Sequence, residues 1–120
     1  MNDTINLIGR YIATWNETNP ERRRSLIART FAEAASYVDP MMEGHGHAEI
    51  DVMIGGVQER FPGLRFRQAG TVDAHHDRVR FSWELAPEVG EPVAKGTDFA
   101  ALADDGRLRS VAGFLDAVTA

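Results

Sequence analysis

Val79-Arg80-Phe81-Ser82-Trp83-Glu84-Leu85 is the stretch on which the fold turns. Apolar side chains at 79, 81, 83 and 85 alternate with Arg80, Ser82 and Glu84, the period-2 pattern of a strand with one apolar face. The segments around it read the same way. Leu64 to Ala74 is a long strand candidate that turns at His75-His76-Asp77. Beyond Leu85, Glu88 to Pro92 forms a loop and Val93 to Ala103 the next strand. Asp104-Asp105-Gly106 is a tight hairpin turn, and Arg107 to Leu115 closes the series.

Ahead of these strands the period changes to that of helices. Ile8, Tyr11, Ile12 and Trp15 share one helix face, with Asp3 or Thr4 as the expected N-cap. Asn19-Pro20-Glu21 supplies a capping side chain, a first-turn proline and an acid, the start signal of a second helix. Leu26, Ile27, Thr30, Phe31 and Ala34 are its expected buried stripe. A short strand, Ser36 to Val38, ends at Asp39-Pro40. After a loop holding Gly44 and Gly46, Ile50, Met53, Ile54, Val57 and Phe61 trace a third helix, stopped by Pro62-Gly63. Gly55-Gly56 weakens its interior by about 1 kcal/mol per glycine relative to alanine, so a close neighbour is expected there. Helices followed by antiparallel strands define an α+β domain. Residues 1–120 read as one domain, without repeat or linker.

Composition narrows the partners. A net charge of -5 argues against a phosphate-binding surface, and so against nucleic acid. Arg22-Arg23-Arg24 reads as a solvated helix face. With no cysteine, disulfides, thiolate nucleophiles and cysteine metal sites are excluded. No run approaches the roughly 20 apolar residues of a membrane span, and the start Met1-Asn2-Asp3-Thr4 lacks a basic leader. A cytoplasmic protein with no membrane partner is expected.

Three residues carry the candidate chemistry. Tyr11 lies on the buried stripe of the first helix, where a phenol needs a hydrogen-bond partner, from backbone or from a site. Asp39, before Pro40, reads either as a turn cap or as a carboxylate facing a pocket. Asp98 shares a strand face with Ala94, Gly96, Ala100 and Leu102, and a carboxylate among such neighbours is paired, protonated or functional. His45 and His47 invite a metal reading, but the sequence supplies no further ligands at suitable spacing, so they are placed at a pocket rim. His75-His76 reads as solvated. Neither a phosphate loop nor a nucleophile elbow is present.

Arg10-Tyr11-Ile12-Ala13-Thr14-Trp15-Asn16, Phe31 to Pro40 and Thr97-Asp98-Phe99, in this order of elements, resemble the nuclear transport factor two-like superfamily. That group includes the SnoaL-like polyketide cyclases and ketosteroid isomerase. The resemblance implies a cone-shaped α+β domain: three N-terminal helices packed on a strongly curved, mostly antiparallel sheet that encloses a pocket. It implies a homodimer joined through the outer sheet face. Ile12, Trp15, Met53, Val57, Phe61, Val111, Gly113 and Leu115 are the expected lining, and a small hydrophobic molecule the expected occupant. Read on the isomerase pattern, Asp39 abstracts a proton beside a ketone, while Tyr11 and a neutral Asp98 donate hydrogen bonds to the enolate oxygen. No cofactor or metal is implied. Two other readings stand beside it: a SnoaL-like cyclase with Asp98 as acid/base, and a non-catalytic binding or dimerisation module.

Overall fold

The structure is a computed structural model that describes residues 2–118. In chain order it comprises α1 (Asn2–Asn16), α2 (Pro20–Thr30), β1 (Phe31–Val38), β2 (Glu43–His45), α3 (Gly46–Arg60), β3 (Leu64–His75), β4 (Arg78–Pro87), β5 (Ala94–Leu102) and β6 (Leu108–Val118). The six strands form one sheet in the order β2-β1-β6-β5-β4-β3. All neighbours are antiparallel except β1 and β6. Register shifts at Ala69/Asp73, Lys95/Gly96 and Ala101/Leu102 are the bulges that let a sheet bend. The three helices fill the concave side.

Asn19 caps α2 as expected, its Oδ1 accepting from the Arg22 amide at 3.0 Å. Helix α1 already runs at Asn2, so Asp3 and Thr4 lie inside its first turn rather than before it. The larger correction concerns β1. Phe31 and Ala34 were expected on a helix, yet α2 stops at Thr30 and the strand begins at Phe31. Ile27, Thr30, Phe31 and Ala34 stand at i, i+3, i+4 and i+7, although Ala34 is exposed in β1, whose register with β6 shifts between Phe31 and Ser36. That spacing imitates one helix face, which is why periodicity misassigns the segment.

The close neighbour expected at Gly55-Gly56 is Arg23, whose Nη2 would lie 3.2 Å from a Cβ at position 55. Arg23 is buried, not solvated. Its Nε donates to Asp51 at 2.7 Å and its Nη1 to Gln58 Oε1 at 2.9 Å. Gln58 in turn donates to the carbonyls of Trp15 and Glu17. This network ties the end of α1 to α2 and α3. Removing one partner of such a buried pair costs about 3–5 kcal/mol.

His47 lies in α3 with its Nε2 2.8 Å from the Phe31 carbonyl, and His45 is exposed in β2. Neither reaches the cavity described below. Among the described residues no group of His, Cys, Asp and Glu could hold a metal ion, and no helix is long and apolar enough to cross a membrane.

Candidate active site

Between α1, the last turn of α3, the 39–42 loop and the concave face of the sheet lies a cavity of about 230 Å³. Its wall is apolar, formed by Ile12, Trp15, Val57, Phe61 and Leu115 together with Phe66, Trp83 and Leu85. Aromatic rings meet edge-on around it: Trp15 with Phe66 at 5.3 Å, and Phe66 with Trp83 at 5.4 Å. Such contacts hold the wall in shape. The charged or phenolic groups that reach the cavity are Tyr11, Tyr37, Asp39, Asp98 and Arg60.

Three expected lining residues do not line it. Only the last turn of α3 meets the cavity, so Met53, one turn before Val57, faces a separate shallow groove beside Met42 and Glu49. Val111 is packed into the core at 1% exposure. Gly113 lies behind the acidic groups: a Cβ there would stand 2.9 Å from Asp98 Oδ1, 3.2 Å from Asp39 Cβ and 3.3 Å from the Tyr37 hydroxyl. Its missing side chain is the space in which the two acids face each other.

Asp98 belongs to β5, where pairing with Phe81 and Gly113 aims it at the concave face. It is 2% exposed. The Tyr11 hydroxyl, reaching down from α1, donates to Oδ2 at 2.8 Å, and the Trp83 indole Nε1–H donates to Oδ1 at 3.0 Å. Trp83 reaches across because Gly96 lies under its ring; a Cβ on Gly96 would be 2.2 Å from Trp83 Cζ2. Burial raises the Asp98 pKa to about 6. The two donors work against that rise, and the negative charge of Asp39 adds to it. Each Asp98 oxygen keeps a lone pair free of protein donors.

Asp39 is differently engaged. Its Oδ1 accepts from the amides of Met41 (2.9 Å) and Met42 (3.0 Å), and its own amide donates to the Met42 carbonyl at 2.9 Å. It therefore caps the loop that brings Met41 and Met42 to the cavity, while Oδ2 accepts from the Tyr37 hydroxyl at 2.6 Å. Burial, together with nearby Asp98, lifts the Tyr37 phenol far above the usual tyrosine range; Tyr11 is raised by the same causes. Both phenols stay protonated and act as donors. The buried Trp15 Nε1–H makes no hydrogen bond of good geometry; lying beside the Tyr11 hydroxyl, it slightly eases that phenol's ionisation.

The structure thus brings Tyr11, Asp39 and Asp98 to one cavity, joined by Tyr37 and Trp83. The alternation in β4 flagged Trp83 as inward-facing, but its role as a donor depends on Gly96. Tyr37 stands two residues before Asp39, so both side chains leave the strand end on one side. That spacing was the available signal.

A curved-sheet cone of this build, with acids set into its inner face, is the nuclear transport factor two-like fold. The chain belongs to the SnoaL-like family, whose domain it matches over residues 8–111. A solved SnoaL-like protein from Agrobacterium tumefaciens strain C58, named provisionally as an isomerase, is 44% identical. That match covers 98% of this chain and 100% of the other, with a TM-score of 0.92. A SnoaL-like protein of unknown function from Burkholderia thailandensis superposes with a TM-score of 0.77 at 13% identity, over 98% and 97% of the two chains. One from Jannaschia, named provisionally as a SnoaL-like polyketide cyclase, gives 0.73 at 17% identity, over 96% and 86%. The last two share the fold alone. No curated protein matches the chain.

Proposed function

We propose that the protein is a cofactor-independent proton-transfer enzyme acting next to the carbonyl of a small hydrophobic ketone, with Asp98 as its acid/base. The observation that carries this reading is the setting of Asp98: a buried carboxyl at the cavity wall, pKa about 6, held by two donors with lone pairs to spare. A base whose pKa lies near working pH is ionised often enough to accept a proton and acidic enough to return it. Across the Gly113 gap the Tyr37 hydroxyl is the donor for the enolate oxygen, turning its proton from Asp39 to the developing charge. Trp15, Phe66 and Trp83 keep that exchange in a dry, low-dielectric space. The provisional isomerase name of the 44%-identical relative is consistent with this chemistry.

A second assignment of roles has an observation in its favour. A carboxyl of pKa about 6 is neutral in part near pH 6 and then donates a hydrogen bond, which would leave Asp39 as the base. The lone-pair count favours Asp98, because Asp39 already accepts three hydrogen bonds and keeps a single lone pair where Asp98 keeps two. Benzylacetone in deuterated buffer distinguishes the two, with hydrogen exchange beside the ketone followed by NMR. Asp98→Asn should lower the exchange rate about 100-fold or more. Asp39→Asn keeps the Oδ1 acceptor for the loop and should lower it less. Exchange no faster than in buffer, or undiminished in Asp98→Asn, overturns the proposal.

The homodimer belongs to the same reading. Phe99 and Phe114 stand on the convex face, 45% and 54% exposed, edge-on at 5.6 Å. They form the apolar centre about which two sheets would meet.

A further inference from the structure

Two carboxylates line the cavity, and one cation, Arg60, stands at its rim. Position follows from strand register. Asp98 is four residues from Ala94 along β5, roughly 13 Å at the strand rise of about 3.3 Å per residue. Ala94 pairs with Leu85 and with Val118, and both Ala94 and Val118 line the cavity at that end. Two residues past Leu85, Pro87 pairs with Leu64, to which the end of α3 leads through Phe61-Pro62-Gly63. Arg60, the last residue of α3, is therefore at the end opposite Asp98.

Arg60 is exposed and forms no ion pair with any described residue; its guanidinium stacks over the Phe61 ring, 5.7 Å from the centroid. That stack and the carbonyl end of α3 hold the cation at the rim without neutralising it. Seven other lysine and arginine side chains in ion pairs, those of Arg22, Arg67, Arg78, Arg80, Lys95, Arg107 and Arg109, sit on the surface beside their own acids. Arg60 does not, although the chain carries a net charge of -5. The field inside the cavity sorts a ligand by its ends. Asp98 and Asp39 repel an anion from the inner end, and Arg60 attracts one at the mouth.

We infer that the substrate is an amphipathic acid: an apolar body about 13 Å long with its ketone at Asp98 and an anionic group, a carboxylate in the simplest case, held at the mouth by Arg60. The inference rests on the proposed reading of this cavity as a substrate site and adds the charge and orientation of what enters it. Arg60 is here a specificity-determining residue, not a catalytic one.

Both tryptophans of the chain line the cavity, so their fluorescence reports occupancy. The probes are ω-acetylnonanoate, a methyl ketone and a carboxylate joined by a saturated chain, and its uncharged primary amide. The wild type should bind the acid about tenfold more tightly than the amide, as one charge-assisted contact warrants. The preference should shrink with added salt, fall to near parity in Arg60→Gln and survive in part in Arg60→Lys. Arg24→Gln, which removes an exposed charge elsewhere on the surface, should leave it unchanged. Equal binding of acid and amide by the wild type, failure to bind the acid, or a preference that persists in Arg60→Gln overturns the inference. Acid preference through Arg60 without exchange at the ketone supports the anion site and removes the catalytic reading. Exchange of benzylacetone without acid preference does the reverse.

Discussion

Asp98 should make the protein less stable as pH rises, a linkage that one substitution isolates. Its carboxyl has an ordinary pKa of 3.8 and a folded-state pKa of about 6, raised chiefly by burial. The folded state therefore binds a proton more tightly than the unfolded state. The stabilisation is complete below pH 3.8 and is lost as pH climbs through about 6. With each pKa unit worth about 1.4 kcal/mol, the full effect is about 3 kcal/mol. About 2 kcal/mol of that falls between roughly pH 4.5 and pH 8. Other carboxylates titrate in the same range, so the useful quantity is a difference. Urea unfolding of wild type and Asp98→Asn, followed by tryptophan fluorescence, is measured at both pH values. The wild-type advantage over the variant should shrink by about 2 kcal/mol from the lower to the higher pH. A difference that stays flat, or that grows with pH, refutes the claim that folding buries this carboxyl at a cost to its ionised form.

Three further outcomes follow from the same geometry. Trp83→Phe keeps the aromatic wall but deletes the 3.0 Å donor to Asp98; the pKa of Asp98, read from its carboxyl carbon by NMR, should rise by about 1 further, and a fall would contradict the assigned hydrogen bond. Gly96→Ala puts a methyl group where Trp83 Cζ2 and the Phe114 carbonyl lie, at 2.2 and 2.6 Å. It should cost about 1–3 kcal/mol or more in unfolding free energy and raise the Asp98 pKa through the displaced indole. Phe114→Asp introduces a charge into the convex apolar pair and should yield a monomer by light scattering where the wild type is a dimer. An unchanged mass in wild type and variant would move the interface elsewhere or remove it.

Legibility in the sequence followed the range over which each feature is determined. The back-half strands were readable because alternation is a local consequence of the pleat, and β4 keeps it without interruption from Val79 to Leu85. Helix α2 was readable from Asn19-Pro20-Glu21 because a cap is satisfied within one turn. Strand β1 was not, because its pairing with β6 is irregular between Phe31 and Ser36, and that irregularity belongs to the partner strand as much as to β1. Arg23 had the same difficulty. Its burial is set by Asp51 and Gln58, roughly thirty residues away, and no run of arginines announces it.

The site divides along the same line. Asp98 was identifiable from the small and apolar residues on its own strand face, and Asp39 from the proline that follows it. What each carboxylate does depends on donors that arrive from other elements. Tyr11 crosses from α1 to Asp98, 87 positions further along the chain, and Trp83 arrives diagonally over Gly96. Asp39 meets donors only from its own neighbourhood, Tyr37 on one oxygen and the Met41 and Met42 amides on the other. Local donors make a carboxylate a structural cap, since they are present whether or not a cavity forms. Distant donors on a buried carboxylate exist only in the assembled cone, and they hold its charge where the apolar wall opens. That asymmetry is the physical ground for assigning the proton transfer to Asp98 and the shaping of the 39–42 loop to Asp39.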